Sequence, residues 1–394
     1  MGLDLIKNNV YYCGLKDKER RLFDQLVPLP EGTTYNSYLV KGSEKTALID
    51  TMYPKKINEF IKNLEENNVT NIDYIIANHG EQDHSGALPT MIQKYPEAQI
   101  ITNQKCKDII MDMLHLPEEK ITVINDRDEL SLGDKTLQFI LAPWVHWPDT
   151  MFTYIKEDKL LFTCDFFGAH YTSCSVFSDN SEELKTAAKR YYAEIMMPFR
   201  SFSAKYLKMV KEMEVDMILP SHGPVYQDPQ FIYNLYEDWT SNDVENLVLI
   251  PYVSMYESTE KMAKYLSEKL EEKGVKTILF DTVDEDHGEL AMYLVNAATI
   301  ILAASMVLAG PHPTMVTTSY LISILRPKFK NLGIIGSFGW GGNLTGKLEE
   351  MFTLLKPERF ESILIKGCPK ADAYNKLDNL AEQIYQKHKE QGLV

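Results

Sequence analysis

At 394 residues the chain exceeds what a single hydrophobic core usually organises, and its 44% apolar content suffices for two, so two domains are expected. Its formal charge of −15 gives no electrostatic reason to bind nucleic acid, whose phosphates would meet a like-signed field. With no apolar run of the about eighteen residues a membrane span needs, no signal-peptide pattern at Met1-Gly2-Leu3-Asp4-Leu5-Ile6-Lys7, and five cysteines without a CxxC pair, the expectation is a soluble cytoplasmic protein lacking membrane contact, a disulfide framework or a tetrathiolate metal module.

In chain order, residues 35–40 and 47–49 flank the polar turn Lys41-Gly42-Ser43-Glu44-Lys45 and read as a β-hairpin. Residues 54–66 carry helical periodicity through Ile57, Phe60, Ile61 and Leu64. Strand patterns follow at 72–77, 138–142, 151–155, 160–163 and 217–219, so residues 1–245 read as a mixed α/β domain of two sheets covered by helices. From 246 the register changes. Strand patterns at 246–253, 275–280, 299–303, 331–336 and 363–365 alternate with helical stretches such as 261–273, which predicts a parallel sheet with its own core over 246–394. Pro251 has no N–H to give a ladder and is expected near the exposed end of its strand.

The chemistry concentrates just past these strands. His79-Gly80-Glu81-Gln82-Asp83-His84-Ser85-Gly86 packs two imidazoles and two carboxylates into six positions, directly after an apolar run. His79, Glu81 and Asp83 alternate by two and can face one side of an extended loop, with His84 turning back as a helix begins. More distant candidates are His146 in Ala142-Pro143-Trp144-Val145-His146-Trp147-Pro148-Asp149, Asp165 after Phe162-Thr163-Cys164, and His222 in Ile218-Leu219-Pro220-Ser221-His222-Gly223-Pro224. Imidazole and carboxylate suit iron, zinc or manganese. So many ligand-type groups exceed what one ion can bind, and a carboxylate between two ions would hold them at about 3.5–4 Å. Asp165, costly after an apolar strand unless coordinated, is the expected bridge. His170, His287 and His312 stand alone and read as hydrogen-bonded or surface residues.

Three strand-end loops in the second half make a second candidate site. Ser254-Met255-Tyr256-Glu257-Ser258-Thr259-Glu260 offers hydroxyls and free N–H groups as an anion nest at a helix N-terminus, although serine and threonine there are also ordinary N-caps. No Walker lysine follows, which disfavours a nucleoside triphosphate. Ser305-Met306-Val307-Leu308, opening the stretch that ends at Pro313, supplies another loop. Ser337-Phe338-Gly339-Trp340-Gly341-Gly342-Asn343 combines an aromatic plate with glycines that permit close approach to a planar ring. All three would lie at the carboxyl edge of the sheet, where such folds bind ligands.

The histidine and carboxylate string, with His146, Asp165 and His222 following in that order, resembles the metallo-β-lactamase fold. Glu81, where the hydrolases of that superfamily usually carry histidine, is similar to the flavodiiron proteins, and the second half resembles flavodoxin with residues 254–260 as its FMN phosphate turn. The resemblance implies an α+β chain, in which an αβ/βα metallo-β-lactamase-like sandwich precedes a doubly wound α/β flavodoxin-like domain carrying FMN. It implies two Fe ions per chain: His79, Glu81 and His146 on one, Asp83 and His222 on the other, Asp165 bridging, and His84 a ligand in some members and turned aside in others. Glu257 departs from the commoner glycine or asparagine, and Ala303-Ala304-Ser305-Met306 lacks the glycine-serine-proline-threonine form of the middle loop. Leu308-Ala309-Gly310-Pro311-His312-Pro313 looks closest to methanogen-type members.

The function so implied is reduction of dioxygen to water at a site where Asp165 and His84 act, with reduced 8-hydroxy-5-deazaflavin coenzyme as the electron donor. An alternative is reduction of nitric oxide to nitrous oxide with a rubredoxin-like donor. The resemblance also implies a head-to-tail homodimer, open to pairing into a dimer of dimers, with Trp147 a candidate at the junction or an ordinary packing residue. Rival readings are a two-zinc hydrolase with a bridging hydroxide, a noncatalytic electron carrier or gas sensor, and a flavin-only quinone reductase.

Overall fold

The computed structural model describes residues 3–394, and the chain divides into two compact units, Met1–Thr240 and Ser241–Val394. The sequence boundary at 245/246 stands slightly later, at the start of the strand Glu245–Val253.

The first unit contains two facing sheets. One has seven strands in the order Asp4–Lys7, Val10–Tyr12, Tyr38–Lys41, Thr46–Ile49, Tyr74–Ile76, Gln99–Asn103, Ile121–Ile124. The other has five, Glu129–Ser131, Thr136–Leu141, Met151–Ile155, Leu160–Cys164, Met217–Pro220. Alternation of side chains along each strand sorts the residues between layers. Tyr38, Val40, Ala47, Ile49, Ile76 and Ile101 enter the core between the sheets, where they meet Leu137, Phe139, Met151, Ile155, Leu160, Phe162 and Leu219 of the other sheet. Their neighbours Leu39, Leu48, Ile75 and Ile100 point the other way, onto Phe60, Leu64, Leu88, Met91 and Ile110 of the covering helices. Behind the second sheet Phe152 stacks on Phe166 and meets Tyr206 of the helix Arg200–Lys211, while Phe166 meets Tyr236 of Pro229–Thr240. The layers are thus helix, sheet, sheet, helix.

The expected strand at 35–40 is divided. Thr33–Tyr35 pairs with Leu15–Asp17, and only Tyr38–Lys41 forms the hairpin with Thr46–Ile49. Asn36 causes the break by turning its amide to the carbonyls of Pro220 and Gly223, at 2.7 and 2.8 Å. The helical pattern at 54–66 begins as a 3₁₀ turn, Pro54–Lys56, before the helix Ile57–Glu66.

The second unit is a parallel sheet in the order Lys276–Asp281, Glu245–Val253, Ala297–Val307, Asn331–Phe338, with Glu358–Arg359 and Ile363–Lys366 both beside the last. In chain order this is 2-1-3-4-5, the doubly wound flavodoxin-like arrangement. Pro251 corrects the expectation of an exposed strand end. It is buried in a strand paired on both sides, and the ladder to Ala297–Val307 omits Ile250 and Pro251, as suits a residue with no N–H. Among the described residues no helix is long and apolar enough to cross a membrane.

Candidate metal centre

Strand ends in the first unit bring the candidate ligands together. His79 follows Tyr74–Ile76, and Glu81 caps the single turn Gln82–Ser85 that carries Asp83 and His84. That turn is pinned by Thr51, whose N–H and hydroxyl both donate to the His84 carbonyl, at 2.7 and 2.6 Å. His146 lies beyond Thr136–Leu141. Asp165 and His222 follow Leu160–Cys164 and Met217–Pro220, which run parallel with Cys164 opposite Pro220, so the register itself sets these two residues side by side.

The seven side chains form two pockets that share one carboxylate, the second buried and the first partly open at Glu81 and His146. Around Asp165 Oδ2 stand His79 Nε2 at 3.6 Å and His146 Nε2 at 3.5 Å, and Glu81 Oε2 lies 3.2 and 3.3 Å from the same two nitrogens. Around Asp165 Oδ1 stand His84 Nε2 at 3.0 Å and His222 Nε2 at 3.5 Å, and Asp83 reaches those nitrogens at 3.3 and 3.1 Å. His79, Glu81, His146 and Asp165 have the mutual spacing of metal ligands, and so do Asp83, His84 and His222. His84 therefore faces the second pocket. His84, Cys164 and Asp165 are also mutually close, but that grouping reuses two residues of the pair.

Donor chemistry and unused atoms both fit cations. Asp83 Oδ1 and Oδ2 and His222 Nε2 are buried without a hydrogen bond, although Asp83 Oδ2 and His222 Nε2 are only 3.1 Å apart. Buried polar groups that converge yet do not bond one another are costly unless a third party lies between them. Both pockets are built of nitrogen and oxygen donors, as hard or borderline metals require.

Charge balance explains how so many titratable groups share this space. Burial alone would depress the imidazoles, but Asp165 and Asp83 push His84 up to about 10, and Asp165 and Glu81 push His146 up to about 9. His79 is likewise raised against burial, chiefly by Asp149. Burial opposes ionisation of Glu81 and Asp165, yet His146 and His79 hold Glu81, and His84 and His146 hold Asp165, well below the usual carboxylate range. A metal ion here would compete with protons for the same nitrogens.

The supporting residues were not legible beforehand as such. Asp149 Oδ2 faces His79 Nδ1 at 3.1 Å and accepts from the Gly80 N–H at 2.7 Å. Gly80 allows this approach, because a Cβ there would stand 2.6 Å from Ile109 Cγ2. His222 Nδ1 donates to the Thr34 carbonyl at 2.6 Å, and the Tyr191 hydroxyl donates to Asp165 Oδ1 at 3.1 Å. The usable signal was general: a ligating imidazole needs a partner for its other nitrogen, and Asp149 ends the His146 loop. Nothing in the sequence pointed to the hairpin Leu22–Phe23 with Val27–Pro28, which sets Phe23 against His170 and His222 at 4.8 and 5.8 Å between ring centres. On its turn, burial and the charges of Glu81 and Asp83 push Asp24 up to about 6. His170 is buried against Thr33 Oγ1 at 2.8 Å, His312 caps a helix through Thr314 N, and His287 opens another. Trp147 packs edge-to-face on His79, with ring centres 4.9 Å apart.

In the second unit the strand registers align Ser254, Ser305 and Ser337 at neighbouring strand ends. Ser254, Met255, Tyr256 and Glu257 connect Glu245–Val253 to the helix Ser258–Glu271, and Thr259 Oγ1 lies 2.9 Å from Ser337 Oγ. Ser254 Oγ and Ser305 Oγ are buried without partners. One expectation is corrected here: Ser305, Met306 and Val307 belong to the strand Ala297–Val307, and the chain turns at Leu308 and Ala309 so that Gly310–Pro311 pairs back on it. Both turn residues have positive φ, 47° and 59°, the twist of a two-residue hairpin without its usual Asn-Gly signature. Ser337 and Phe338 end their strand, and Gly339, Trp340, Gly341 and Gly342 lie beyond it. A Cβ on Gly342 would stand 2.6 Å from Met306 Sδ and from the Ala309 carbonyl, so this segment lies directly on the hairpin. Met255, Tyr256, Leu308 and Trp340 of these segments are exposed.

Comparison with known proteins agrees with both halves. A family model described as ODP family beta lactamase matches residues 33–223. The chain is 35% identical over 358 residues to the anaerobic nitric oxide reductase flavorubredoxin of Aliivibrio salmonicida, covering 88% of this chain and 72% of that one. It is 33% identical over 360 residues to the coenzyme F420H2 oxidase of Methanothermobacter marburgensis, covering 88% and 89%. Among solved structures, rubredoxin oxygen:oxidoreductase of Desulfovibrio gigas superposes with a TM-score of 0.95 at 29% identity, over 100% of both chains. Two adjoining clusters of candidate metal ligands in a β-lactamase-like unit, a flavodoxin-ordered sheet after it, and near full-length relatives of that build place this chain in the flavodiiron protein family.

Proposed function

We propose that the protein is a flavodiiron oxidoreductase that binds FMN and two irons and reduces dioxygen to water, with reduced deazaflavin coenzyme as the donor. The observation that carries this reading is the division of Asp165, one oxygen to His79, Glu81 and His146 and the other to Asp83, His84 and His222. Bound together, FMN and an iron pair supply four reducing equivalents, the number dioxygen needs to become two waters.

The chain's own residues prepare the site. Asp165 ties the two pockets to one carboxylate, and the carboxylates Glu81 and Asp83 favour a more highly charged ion than imidazoles alone would. Asp149 and the Thr34 carbonyl hold the Nδ1 side of His79 and His222, so that Nε2 of each points inward and offers its lone pair to a metal once its proton is displaced. Phe23 and Trp147 place apolar surface against His222 and His79, which limits water around the ligands. In the second unit, Ser254, Ser258 and Thr259 with the first-turn amides would hold the FMN phosphate, and Ser305, Ser337 and the Gly339–Gly342 segment would receive the ring beside Tyr256 and Trp340. A head-to-tail homodimer in the cytoplasm would cover the exposed Met255, Tyr256, Leu308 and Trp340.

Nitric oxide reduction is the second reading, favoured by the likeness to flavorubredoxins, and a rubredoxin-type donor goes with it. A two-zinc hydrolase leaves the flavodoxin-like unit without a role. The deciding experiment is metal and flavin analysis of anaerobically purified protein, followed by stopped-flow reoxidation with dioxygen and with nitric oxide after reduction by either donor. About two irons and one FMN per chain, with turnover of at least one gas, is expected; tightly bound zinc without flavin would sink the proposal.

A further inference from the structure

Glu257 occupies an unusual place in the loop assigned to the flavin phosphate. It is the N-cap of the helix Ser258–Glu271 and has φ of 61°, a left-handed conformation that suits glycine or asparagine and is unfavourable for glutamate. Its side chain makes no capping bond. Instead its carboxylate faces outward and pairs with Lys261 Nζ, one helical turn along, at 3.0 Å. The Lys261 N–H already bonds to the Glu257 carbonyl, so the helix's orphan donors are the amides of the three residues before it. An anion received by those amides and by the buried, unpartnered Ser254 Oγ would sit on the helical turn that carries the Glu257 carboxylate and the Lys261 ammonium.

We infer that the Glu257–Lys261 pair sets how tightly this chain holds FMN: the glutamate repels the phosphate and the lysine offsets that repulsion. The inference rests on the flavin reading of this edge. The backbone strain at Glu257 is present with or without ligand and cancels in binding, whereas the like-charge repulsion exists only when phosphate is bound. The effect is therefore specific to a phosphorylated flavin and sensitive to salt.

The test is fluorescence titration of the flavin-depleted full chain with FMN and, separately, with riboflavin. Glu257→Gln should tighten FMN roughly three- to tenfold at low ionic strength and leave riboflavin unchanged, and Lys261→Gln should weaken FMN by a similar factor. At about 0.5 M salt the differences should shrink below roughly twofold, because screening shortens to a few ångström. Glu257→Gly, which also relieves the backbone, should match Glu257→Gln in FMN affinity. Unchanged FMN binding in Glu257→Gln, or equal tightening of riboflavin, overturns the inference while the flavin reading stands. Failure of the unaltered chain to bind either flavin overturns both.

Discussion

Asp149→Asn offers the sharpest separation of the two pockets, because Asp149 serves only one of them. Its Oδ2 faces His79 Nδ1 at 3.1 Å and receives the Gly80 N–H at 2.7 Å, whereas His222 in the other pocket leans on the Thr34 carbonyl. An asparagine oxygen can keep the Gly80 bond, but the charge-assisted bond to His79, of the kind that contributes about 1.5–3 kcal/mol, is lost. Loss of such an outer partner typically costs about 10–100-fold in metal affinity, or roughly 1.4–2.7 kcal/mol, which agrees with that figure. Part of the loss is offset near neutrality, because Asp149 also raises the His79 pKa and so strengthens the competing proton. About tenfold is therefore expected at pH 7, growing toward higher pH. The assay is anaerobic competition for ferrous iron between the full chain and a chromophoric chelator, which resolves two binding steps. One step should weaken and the other stay in place. If both steps shift together, or neither does, the assignment of Asp149 to a single pocket is wrong.

Four further outcomes follow from the same structure. His84 and His146 are raised from the ordinary histidine value to about 10 and about 9, so iron must displace their protons: affinity should climb with pH toward that range, with proton release measurable in weakly buffered solution. By the same sign, the metal-depleted chain should lose stability as pH rises through about 9 to 10, since stabilisation by these raised groups is complete only below the unfolded histidine value; denaturation curves at pH 7 and 10 test this. Gly342→Ala forces a Cβ to 2.6 Å from Met306 Sδ and the Ala309 carbonyl, and should cost about 1–3 kcal/mol in denaturant unfolding and reduce flavin content without altering iron content. His388, buried between Thr299 and Asn246, is pulled down to about 4, so the second unit should weaken as pH falls from about 6.5 toward 4, where the unfolded chain takes up the proton first. His388→Gln should flatten that acid limb.

What the sequence determined by itself was the inventory and its rough placement. Strand patterns separated by turns marked the sheets of the first unit, apolar runs marked the parallel strands of the second, and His79, Glu81, Asp83, His84, His146, Asp165 and His222 stood out because ligand types collected where strands end. Those signals are local, and local signals survive in one dimension. Tertiary structure decided that Asp165 gives one oxygen to each pocket, that His84 faces inward, and that Asp149, Thr34 and Tyr191 bond to His79, His222 and Asp165, since these depend on which strand ends share a sheet edge. It also divided the strand at Asn36, buried Pro251 inside a central strand, and folded residues 305–311 into a hairpin. In each case a partner distant in sequence supplied the hydrogen bond or the packing that local preference could not foresee.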